Sequence, residues 1–268
     1  MEKKIVFCGG GNMAEGILRS ILKAEVAEPE LVTVSEPVED RRVYLEETYG
    51  VMTEADASDE FETAEIIIIA VTPNIVPVVT KSLNGKITGR TMILSIAAGI
   101  PIAALEEQLG KDKKITRVIP NTLNQVKEGY SAYALNENCG EKEKEDVEEI
   151  LGALGQVMPL NEDLFNAFST FACAGPLWVY KEIEALINAG VYSGFSRPDA
   201  RKIVLKNMQG AAKVLELTGE HPAVKVDQMT SPGGVTIEAL KTLEDCAFDS
   251  AILKSVKEGI DKADTFND

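Results

Sequence analysis

A glycine-rich turn near the amino terminus is the first group of residues with a spacing suited to chemistry. Residues 9–14 read Gly-Gly-Gly-Asn-Met-Ala and fit the pattern G-x-G-x-x-A between the apolar run Ile5–Cys8 and an amphipathic helical pattern. Gly9 permits a tight turn, Gly11 lets a pyrophosphate approach the backbone, and Ala14 keeps the helix close to the sheet. The helix start also supplies free N–H groups and partial positive charge. This context predicts a dinucleotide site, whereas the string alone would fit a packing turn equally well.

An acidic residue ends the next strand pattern. Glu36 closes Leu-Val-Thr-Val-Ser-Glu, the place from which a carboxylate accepts hydrogen bonds from the adenosine ribose hydroxyls and repels a 2′-phosphate. This position favours NADH over NADPH. NADPH is not excluded as the cofactor, because Arg41 or Arg42 could reach a 2′-phosphate. Both arginines fit equally well as exposed residues of the following helix.

A second segment, residues 230–236, reads Thr-Ser-Pro-Gly-Gly-Val-Thr and has the pattern of a helix start. We expect Ser231 to be the N-cap and Pro232 the first helical residue. The two glycines that follow would cost about 1 kcal/mol each relative to alanine inside a helix. They would let a carboxylate approach the N–H groups, with the hydroxyl of Thr236 beside it. From spacing alone, a plain capped helix with a glycine kink explains the segment at least as well.

The remaining composition excludes several other kinds of site. His221 is the only histidine, which excludes a multi-histidine metal site, and its Gly-Glu-His-Pro context indicates a loop residue rather than a catalyst. The four cysteines lie far apart without paired metal-ligand spacing, so we expect no metal. The net charge of −16 argues against nucleic acid or an anionic membrane as a partner. Without a secretory leader or an apolar run of roughly 20 residues, the simplest placement is cytoplasmic.

The amino-terminal half alternates short apolar runs with helical patterns, which is typical of a parallel sheet covered by helices on both faces. The run Ile66–Ile69 is β-branched throughout, so it predicts a central buried strand. The expected strands are Ile5–Cys8, Leu31–Ser35, Glu65–Val71, Thr91–Ile96, Ile115–Ile119, Ser131–Leu135 and Gln156–Pro159. Besides the helix after the glycine turn, the expected helices are Val38–Thr48, Ile75–Leu83, Ile102–Leu109 and Glu141–Leu154.

Beyond Pro159 the strand patterns stop and helical periodicity continues to the end. The expected helices are Asp163–Cys173, Pro176–Val191, Arg197–Thr218, Pro222–Met229, Pro232–Glu244 and Phe248–Ala263. We therefore predict an α/β fold with a doubly wound, dinucleotide-binding domain over residues 1–159 and an all-helical domain over residues 160–268. The helical domain shows little sign of a core of its own, so we expect it to bury its apolar faces against another subunit.

Taken together, these motifs resemble the pyrroline-5-carboxylate reductase family, whose members reduce a cyclic imine acid to proline with NAD(P)H. The matching segments span nearly the whole chain, and the most specific is residues 230–236. The others are 7–14, 70–73, 95–99, 120–122, 128–129, 175–176, 210–213 and 218–222. The resemblance implies a Rossmann domain followed by a helical, substrate-binding domain that interlocks with a second subunit in a homodimer or a larger homo-oligomer.

The resemblance also implies roles for individual residues. The residues expected to contact the cofactor are Gly9, Gly11, Asn12 and Met13 at the pyrophosphate, Thr72 and Pro73 near the adenosine, and Ala97 and Asn121 beside the nicotinamide. Those expected to receive the substrate are Ser231, Gly233, Gly234 and Val235 at its carboxylate and Thr236 near its ring nitrogen, which makes Thr236 the candidate catalytic residue. A protonated cyclic imine is already electrophilic, so hydride transfer needs alignment more than a strong acid.

Several positions depart from the family pattern. Thr72 replaces the usual Lys and Ala57 lies where Asn is frequent; both changes remove groups that help to bind a 2′-phosphate, which agrees with NADH. The usual Ser-Gly-Ser-Gly-Pro-Ala is Ala-Cys-Ala-Gly-Pro-Leu over residues 172–177, followed by Trp178, and Leu123 replaces a proline. A related cyclic imine acid is therefore an alternative substrate.

Two other classes of protein remain open. A β-hydroxyacid dehydrogenase would use a lysine acid/base, but Lys181 lacks the expected spacing and a following Asn, and is expected to be a solvated helix residue. A non-catalytic NAD-binding sensor would tolerate the altered residues 172–177, whereas the intact residues 231–236 argue against it.

Overall fold

The structure is a computed structural model that describes residues 2–120 and 128–265. The chain divides into two compact units, the first ending at Cys173 and the second running from Ala174 to Thr265. The predicted boundary after residue 159 coincides with the end of the last strand, but the first unit continues for 14 residues more. It does so because Phe165 is buried and Glu162 is paired with Arg117 of the sheet.

The first unit is built on an eight-stranded sheet, whose strands are β1 Ile5–Cys8, β2 Val32–Ser35, β3 Met52–Glu54, β4 Ile66–Ile69, β5 Met92–Ser95, β6 Lys114–Ile119, β7 Gly129–Leu135 and β8 Gly155–Pro159. Their order in the sheet is β3-β2-β1-β4-β5-β6-β7-β8. The helices are α1 Asn12–Lys23, α2 Glu39–Tyr49, α3 Val76–Leu83, α4 Ile102–Leu109, α5 Glu141–Gly152 and α6 Phe165–Phe168. This confirms the predicted doubly wound α/β fold.

The sheet differs from the prediction in two respects. β3 was not expected, because Met-Thr-Glu has no apolar run, yet it pairs in parallel with β2 at the edge of the sheet. β7 runs antiparallel to β6, while β8 is parallel to β7. Only residues 120–128 join β6 to β7, and a parallel return requires a crossover of a dozen residues or more, so the chain must reverse.

The central strands bury both faces, and each face has its own core. Ile5 and Phe7 of β1 pack on one side with α1, α2 and α5, whereas Val6 and Cys8 pack on the other with α3 and α4. This alternation follows the two-residue period of a strand. It explains why every residue of β1, β4 and β5 is buried and why all but Ser95 are apolar.

The second unit is helical throughout its described length. Its helices are α7 Pro176–Tyr192, α8 Arg197–Thr218, α9 Pro222–Met229, α10 Val235–Asp245 and α11 Phe248–Asp264. Large apolar side chains remain exposed along it, among them Leu177, Tyr180, Tyr192, Leu217, Met229, Val235 and Leu253. None of the helices in the described residues is long and apolar enough to cross a membrane.

Candidate active site

The glycine turn after β1 is held in a shape that only glycine fits at its first position. Gly9 has a φ of +102°, and its N–H donates to the carbonyl of Ser35 at 2.8 Å. A Cβ on Gly9 would lie 2.8 Å from the carbonyl oxygen of Ala70. The turn therefore lies in close contact with the residues at the ends of β2 and β4, which confirms the tight turn expected at Gly9.

Gly11 faces open space two residues later. Apart from its neighbours along the chain, no atom of the described residues lies within 4 Å of the position that a Cβ on Gly11 would occupy. Gly11 is the N-cap of α1, and no side chain caps this helix. The first N–H groups of α1 are therefore available to an anion, and the missing side chain leaves room for it to reach them. This geometry fits the pyrophosphate of a dinucleotide.

A cleft of about 500 Å³ lies at the carboxyl ends of β1, β4, β5 and β6, the place where doubly wound sheets bind ligands. The cleft lies wholly within the first unit. It brings together six of the residues predicted to bind the cofactor: Gly11, Asn12, Met13, Thr72, Pro73 and Ala97. Asn121, predicted beside the nicotinamide, lies outside the described residues, as does Leu123.

Glu36 lies where the sequence placed it, at the end of β2 and beside the glycine turn. Its Oε2 accepts from the N–H of Gly10 at 2.9 Å, and its Oε1 accepts from the N–H of Val38 at 3.0 Å. Both carboxylate oxygens are therefore oriented by the backbone.

Ala57, the other position expected to bear on cofactor choice, is fully buried, and its N–H donates to the hydroxyl of Ser35 at 3.2 Å.

The two arginines that follow Glu36 are both engaged. The Nε of Arg41 donates to the carbonyl of Gly10 at 2.6 Å, and its Nη2 pairs with Glu15 at 2.6 Å. Arg42 donates from Nη1 to the carbonyls of Glu36 and Pro37 at 2.9 and 3.0 Å. Arg41 therefore lies against the glycine turn and Arg42 against the backbone at Glu36 and Pro37, whereas the sequence alone left their positions undecided.

Arg117 also lines the cleft, and sequence reasoning missed it. It is only 6% exposed on β6, and its Nη1 pairs with the carboxylate of Glu162 at 2.7 Å. The guanidinium lies 4.7 Å from the centre of the Phe165 ring. A charged residue inside the apolar run Ile-Thr-Arg-Val-Ile was the available signal, because buried arginines require partners.

The altered segment at residues 172–177 borders the cleft at one residue, Cys173. Burial raises the pKa of the Cys173 thiol to about 11, so it stays protonated near neutral pH. Leu177 is exposed at the start of α7. Trp178 donates from its ring N–H to the hydroxyl of Ser255 at 2.9 Å, which ties α7 to α11.

The start of α10 differs from the prediction. The helix begins at Val235 with Gly234 as N-cap, so the assignments of Ser231 as N-cap and Pro232 as first helical residue are wrong. Residues 231–234 form a β-turn closed by a hydrogen bond of 3.0 Å from the N–H of Gly234 to the carbonyl of Ser231. Gly233, the third residue of this turn, has a φ of +66°. A turn with Pro and Gly at its second and third positions favours a positive φ at the glycine, whereas an α-helix requires a negative φ.

Gly233 and Gly234 therefore precede α10 and do not lower its stability as glycines inside a helix would. No side chain caps α10, so the N–H groups at Val235 and Thr236 stand at an uncapped helix start, as they do at α1. A Cβ on Gly234 would lie 2.3 Å from the hydroxyl oxygen of Ser231, so a side chain at this position would displace that hydroxyl. The cap was assigned wrongly, but the predicted carboxylate site needs a helix start without a side-chain cap, and α10 has one.

Two residues weighed as acid/base candidates have structural contacts. His221 precedes α9, and its Nδ1 accepts from the N–H of Ala223 at 3.2 Å, as expected for a loop residue at a helix start. Lys181 is exposed on α7 and pairs with Glu184 one turn away. This is the solvated helix residue that the sequence indicated.

Comparison with known proteins gives two matches that together span most of the chain. The family model described as pyrroline-5-carboxylate reductase dimerisation matches residues 162–266, and the model described as NADP oxidoreductase, coenzyme F420-dependent, matches residues 4–99. The pyrroline-5-carboxylate reductase of Synechocystis is 35% identical over 257 residues, covering 96% of both chains. The chain belongs to the pyrroline-5-carboxylate reductase family. It is therefore an oxidoreductase of a class that uses a nicotinamide cofactor.

Other members of the pyrroline-5-carboxylate reductase family agree in length and fold. The Escherichia coli enzyme is 31% identical and covers 98% of both chains. The structure of a pyrroline-5-carboxylate reductase from Coxiella burnetii superposes with a TM-score of 0.90 at 27% identity over the whole of both chains. The Plasmodium falciparum pyrroline carboxylate reductase, solved with NADP bound, gives 0.86 at 26% identity and covers 99% of this chain and 98% of its own.

Proposed function

We propose that the protein reduces the C=N bond of 1-pyrroline-5-carboxylate with a nicotinamide cofactor, giving L-proline. The observation that carries this proposal is the cleft at the uncapped start of α1, lined by the residues matched to the family's cofactor motif. The near full-length similarity to reductases of this name supports the same reaction. Its place in the cell is then the biosynthesis of proline, and the cytoplasm remains our predicted location.

In this proposal the first unit holds the cofactor. The backbone of Gly9, Gly11, Asn12 and Met13 receives the pyrophosphate at the start of α1. Thr72 and Pro73 lie against the adenosine, and Ala97 and Asn121 flank the nicotinamide. The bound nicotinamide supplies a hydride to the imine carbon.

We infer a preference for NADH from the acidic group beside the turn. Glu36 holds its carboxylate on the N–H of Gly10 and presents negative charge where an adenosine ribose is expected. Thr72 at the cleft and the buried Ala57 supply no positive charge for a 2′-phosphate. Both features disfavour NADPH.

The start of α10 provides the proposed substrate contacts. Backbone N–H groups of the 231–236 segment bind the substrate carboxylate, and the hydroxyl of Thr236 hydrogen-bonds at the ring nitrogen. A protonated imine already carries the proton that the product amine retains, so the chain must align the ring rather than deliver a proton. This fits a chain whose single histidine serves as a helix cap.

We further propose that the protein works as a homodimer or a larger homo-oligomer. The helical unit exposes large apolar side chains that a stable monomer would not leave in water, and it matches the dimerisation model of the family. A second subunit would cover them.

The deciding assay follows the oxidation of NADH and NADPH separately with 1-pyrroline-5-carboxylate and with its six-membered homologue. We expect turnover of the five-membered imine, with formation of one proline for each NADH consumed. Faster turnover of the six-membered ring would assign the related substrate instead. Tight binding of NADH without oxidation in the presence of either imine would overturn the proposal and identify a sensor.

A further inference from the structure

A cluster of polar residues fixes Arg41 against the glycine turn. Glu15 on α1 accepts hydrogen bonds from Arg41 at 2.6 Å, from the hydroxyl of Tyr49 at 2.6 Å and from that of Tyr44 at 2.9 Å. The Arg41 guanidinium also lies 5.1 Å from the centre of the Tyr44 ring. Arg41 is therefore held on several sides by residues of α1 and α2, whose side chains have no role in the proposed reaction.

The cluster lies beside the proposed ribose position. Glu36 accepts from the N–H of Gly10, and Arg41 donates to the carbonyl of the same residue. A guanidinium near the end of the second strand is the group that accommodates a 2′-phosphate in proteins that bind NADP. Arg41 therefore occupies the place of a guanidinium that binds a 2′-phosphate. Glu36, in contrast, favours NADH.

The charge of Arg41 is compensated by Glu15. The side chains of Arg41 and Glu15 are 24% and 17% exposed, so their ion pair is only partly screened by water. Burial alone would raise the pKa of Glu15, but the hydrogen bonds from Tyr49, Arg41 and Tyr44 outweigh it and hold that pKa below its usual value. Glu15 therefore stays ionised at neutral pH and opposes any second anion that approaches Arg41.

We propose that Glu15 is a specificity-determining residue that withholds Arg41 from the 2′-phosphate of NADPH. Two carboxylates then disfavour that phosphate, Glu36 directly and Glu15 by neutralising the nearest arginine. Tyr44 and Tyr49 are positioning residues, because they orient the carboxylate of Glu15 toward the guanidinium. This inference rests on the proposed cofactor site and not on the identity of the imine substrate.

The test is direct binding, measured by titration calorimetry with NADH, NADPH, adenosine 5′-monophosphate and adenosine 2′,5′-bisphosphate. Glu15→Gln keeps an acceptor for both tyrosines and removes the charge. Relative to wild type, we expect the ratio of the Kd for NADPH to that for NADH to fall about tenfold, the scale of one unit charge acting across about 10 Å near a protein surface. The two adenosine nucleotides should show the same change, since they differ only in the 2′-phosphate.

Two controls separate this mechanism from a general loss of negative charge. Glu47→Gln removes the same charge from an exposed position on α2 and should leave the ratio unchanged. Adding Arg41→Gln to Glu15→Gln should cancel the gain in relative affinity for NADPH, because the arginine that would bind the 2′-phosphate is then absent. An unchanged ratio in Glu15→Gln, or a gain that survives Arg41→Gln, would overturn the inference.

Thermal unfolding shows whether each variant is folded, and Glu15→Ala replaces Glu15→Gln should the latter fail to fold. The same fall in ratio is expected in Glu15→Ala, because it too removes the carboxylate. Since none of these measurements uses an imine, absence of proline formation would leave the test intact, and a failed test would leave the reductase reaction unaffected.

Discussion

Gly9 and Gly11 belong to the same turn, but a methyl group is expected to act differently at each. At Gly9 it would meet the carbonyl of Ala70 at 2.8 Å in a backbone conformation that side chains rarely adopt. At Gly11 it would meet no atom within 4 Å among residues 2–120 and 128–265, apart from the neighbours of Gly11 along the chain. The first glycine therefore serves the fold, and the second leaves room for the pyrophosphate in the proposed cofactor site.

We predict that Gly9→Ala lowers the free energy of unfolding by about 2 kcal/mol or more, because strain and overlap add at one site. Gly11→Ala should change it by less than about 0.5 kcal/mol but weaken NADH binding about tenfold, because the methyl group occupies the path of the pyrophosphate. Urea unfolding and NADH titration of both variants check this pair. Equal losses of stability in the two variants would contradict the division of roles.

Glu36 offers a test of cofactor choice at the level of one carboxylate. Glu36→Gln keeps an oxygen that can accept from the N–H of Gly10 and removes the charge that repels a 2′-phosphate. We expect kcat/KM to shift toward NADPH by about tenfold relative to NADH. Glu36→Ala should shift it in the same direction with some loss of stability, since two backbone N–H groups lose their acceptor. A preference ratio unchanged from wild type in both variants would remove Glu36 from this role.

Glu15 makes the stability of the first unit depend on pH. Its pKa in the folded protein lies below the usual 4.5, so its contribution is present above that value and is lost as the pH falls through the folded pKa. We predict that wild type is more stable than Glu15→Gln at pH 7 and that the difference shrinks between pH 4.5 and pH 3. Chemical unfolding at several pH values measures it. A difference that stays constant down to pH 3 would mean that the carboxylate of Glu15 is not stabilised as an anion.

At the scale of elements, a partly buried ion pair helps to fix the segment after β8 to the sheet. Arg117 on β6 pairs with Glu162, which also accepts from the N–H of Ile102 at the start of α4 at 2.9 Å. Three elements therefore meet at one carboxylate. The residues that follow, Asn166, Ser169 and Cys173, line the cleft, so this ion pair sets the position of one of its walls.

We predict that Glu162→Ala destabilises the protein by about 3 kcal/mol, because it leaves the buried Arg117 without its anion. The double change Arg117→Met with Glu162→Leu should recover much of this loss, since no unpaired charge is then buried. Thermal and urea unfolding of the three proteins test the coupling. Additive losses in the double variant would show that the two side chains act independently.

The element boundaries show which signals a sequence carries well. The strand Ile5–Cys8 and the helices Ile102–Leu109, Arg197–Thr218 and Pro222–Met229 are confirmed at both ends, because apolar periodicity and Gly or Pro at the ends agree. The start of α10 was placed three residues too early, since proline suits both a helix start and a turn. Only the positive φ of Gly233 distinguishes the two.

Tertiary features were harder to predict than local ones. The reversal of β7 follows from the short connection before it, but apolar patterns do not reveal strand direction. The roles of Arg117 and Glu15 depend on partners 45 and 26 residues away along the chain, so composition and spacing could not reveal them. The glycine turn and Glu36 were predictable because their partners belong to one local strand-helix-strand unit.

At the scale of the whole molecule, the exposed apolar side chains of the helical unit allow the proposed oligomer to be tested. Leu217 and Leu253 are 73% and 71% exposed in the single chain. We predict that Leu217→Glu together with Leu253→Glu shifts the protein from an oligomer toward monomer in sedimentation experiments, because charge is costly in an apolar interface. Gln209→Glu, at an exposed polar position on α8, is the control and should leave the oligomer intact. Wild type that sediments as a monomer at micromolar concentration would refute the proposed assembly.

The position of β1 in the sheet also determines when the glycine turn can form during synthesis. β1 lies between β2 and β4, and the turn that follows it is bonded to Ser35 and packed against Ala70. The ribosome therefore makes the glycine turn about 60 residues before the strand that completes its surroundings. Until β4 has emerged, the growing chain has an exposed apolar strand and an unformed cofactor site, so nascent chains shorter than this should depend on chaperones and show no affinity for NADH.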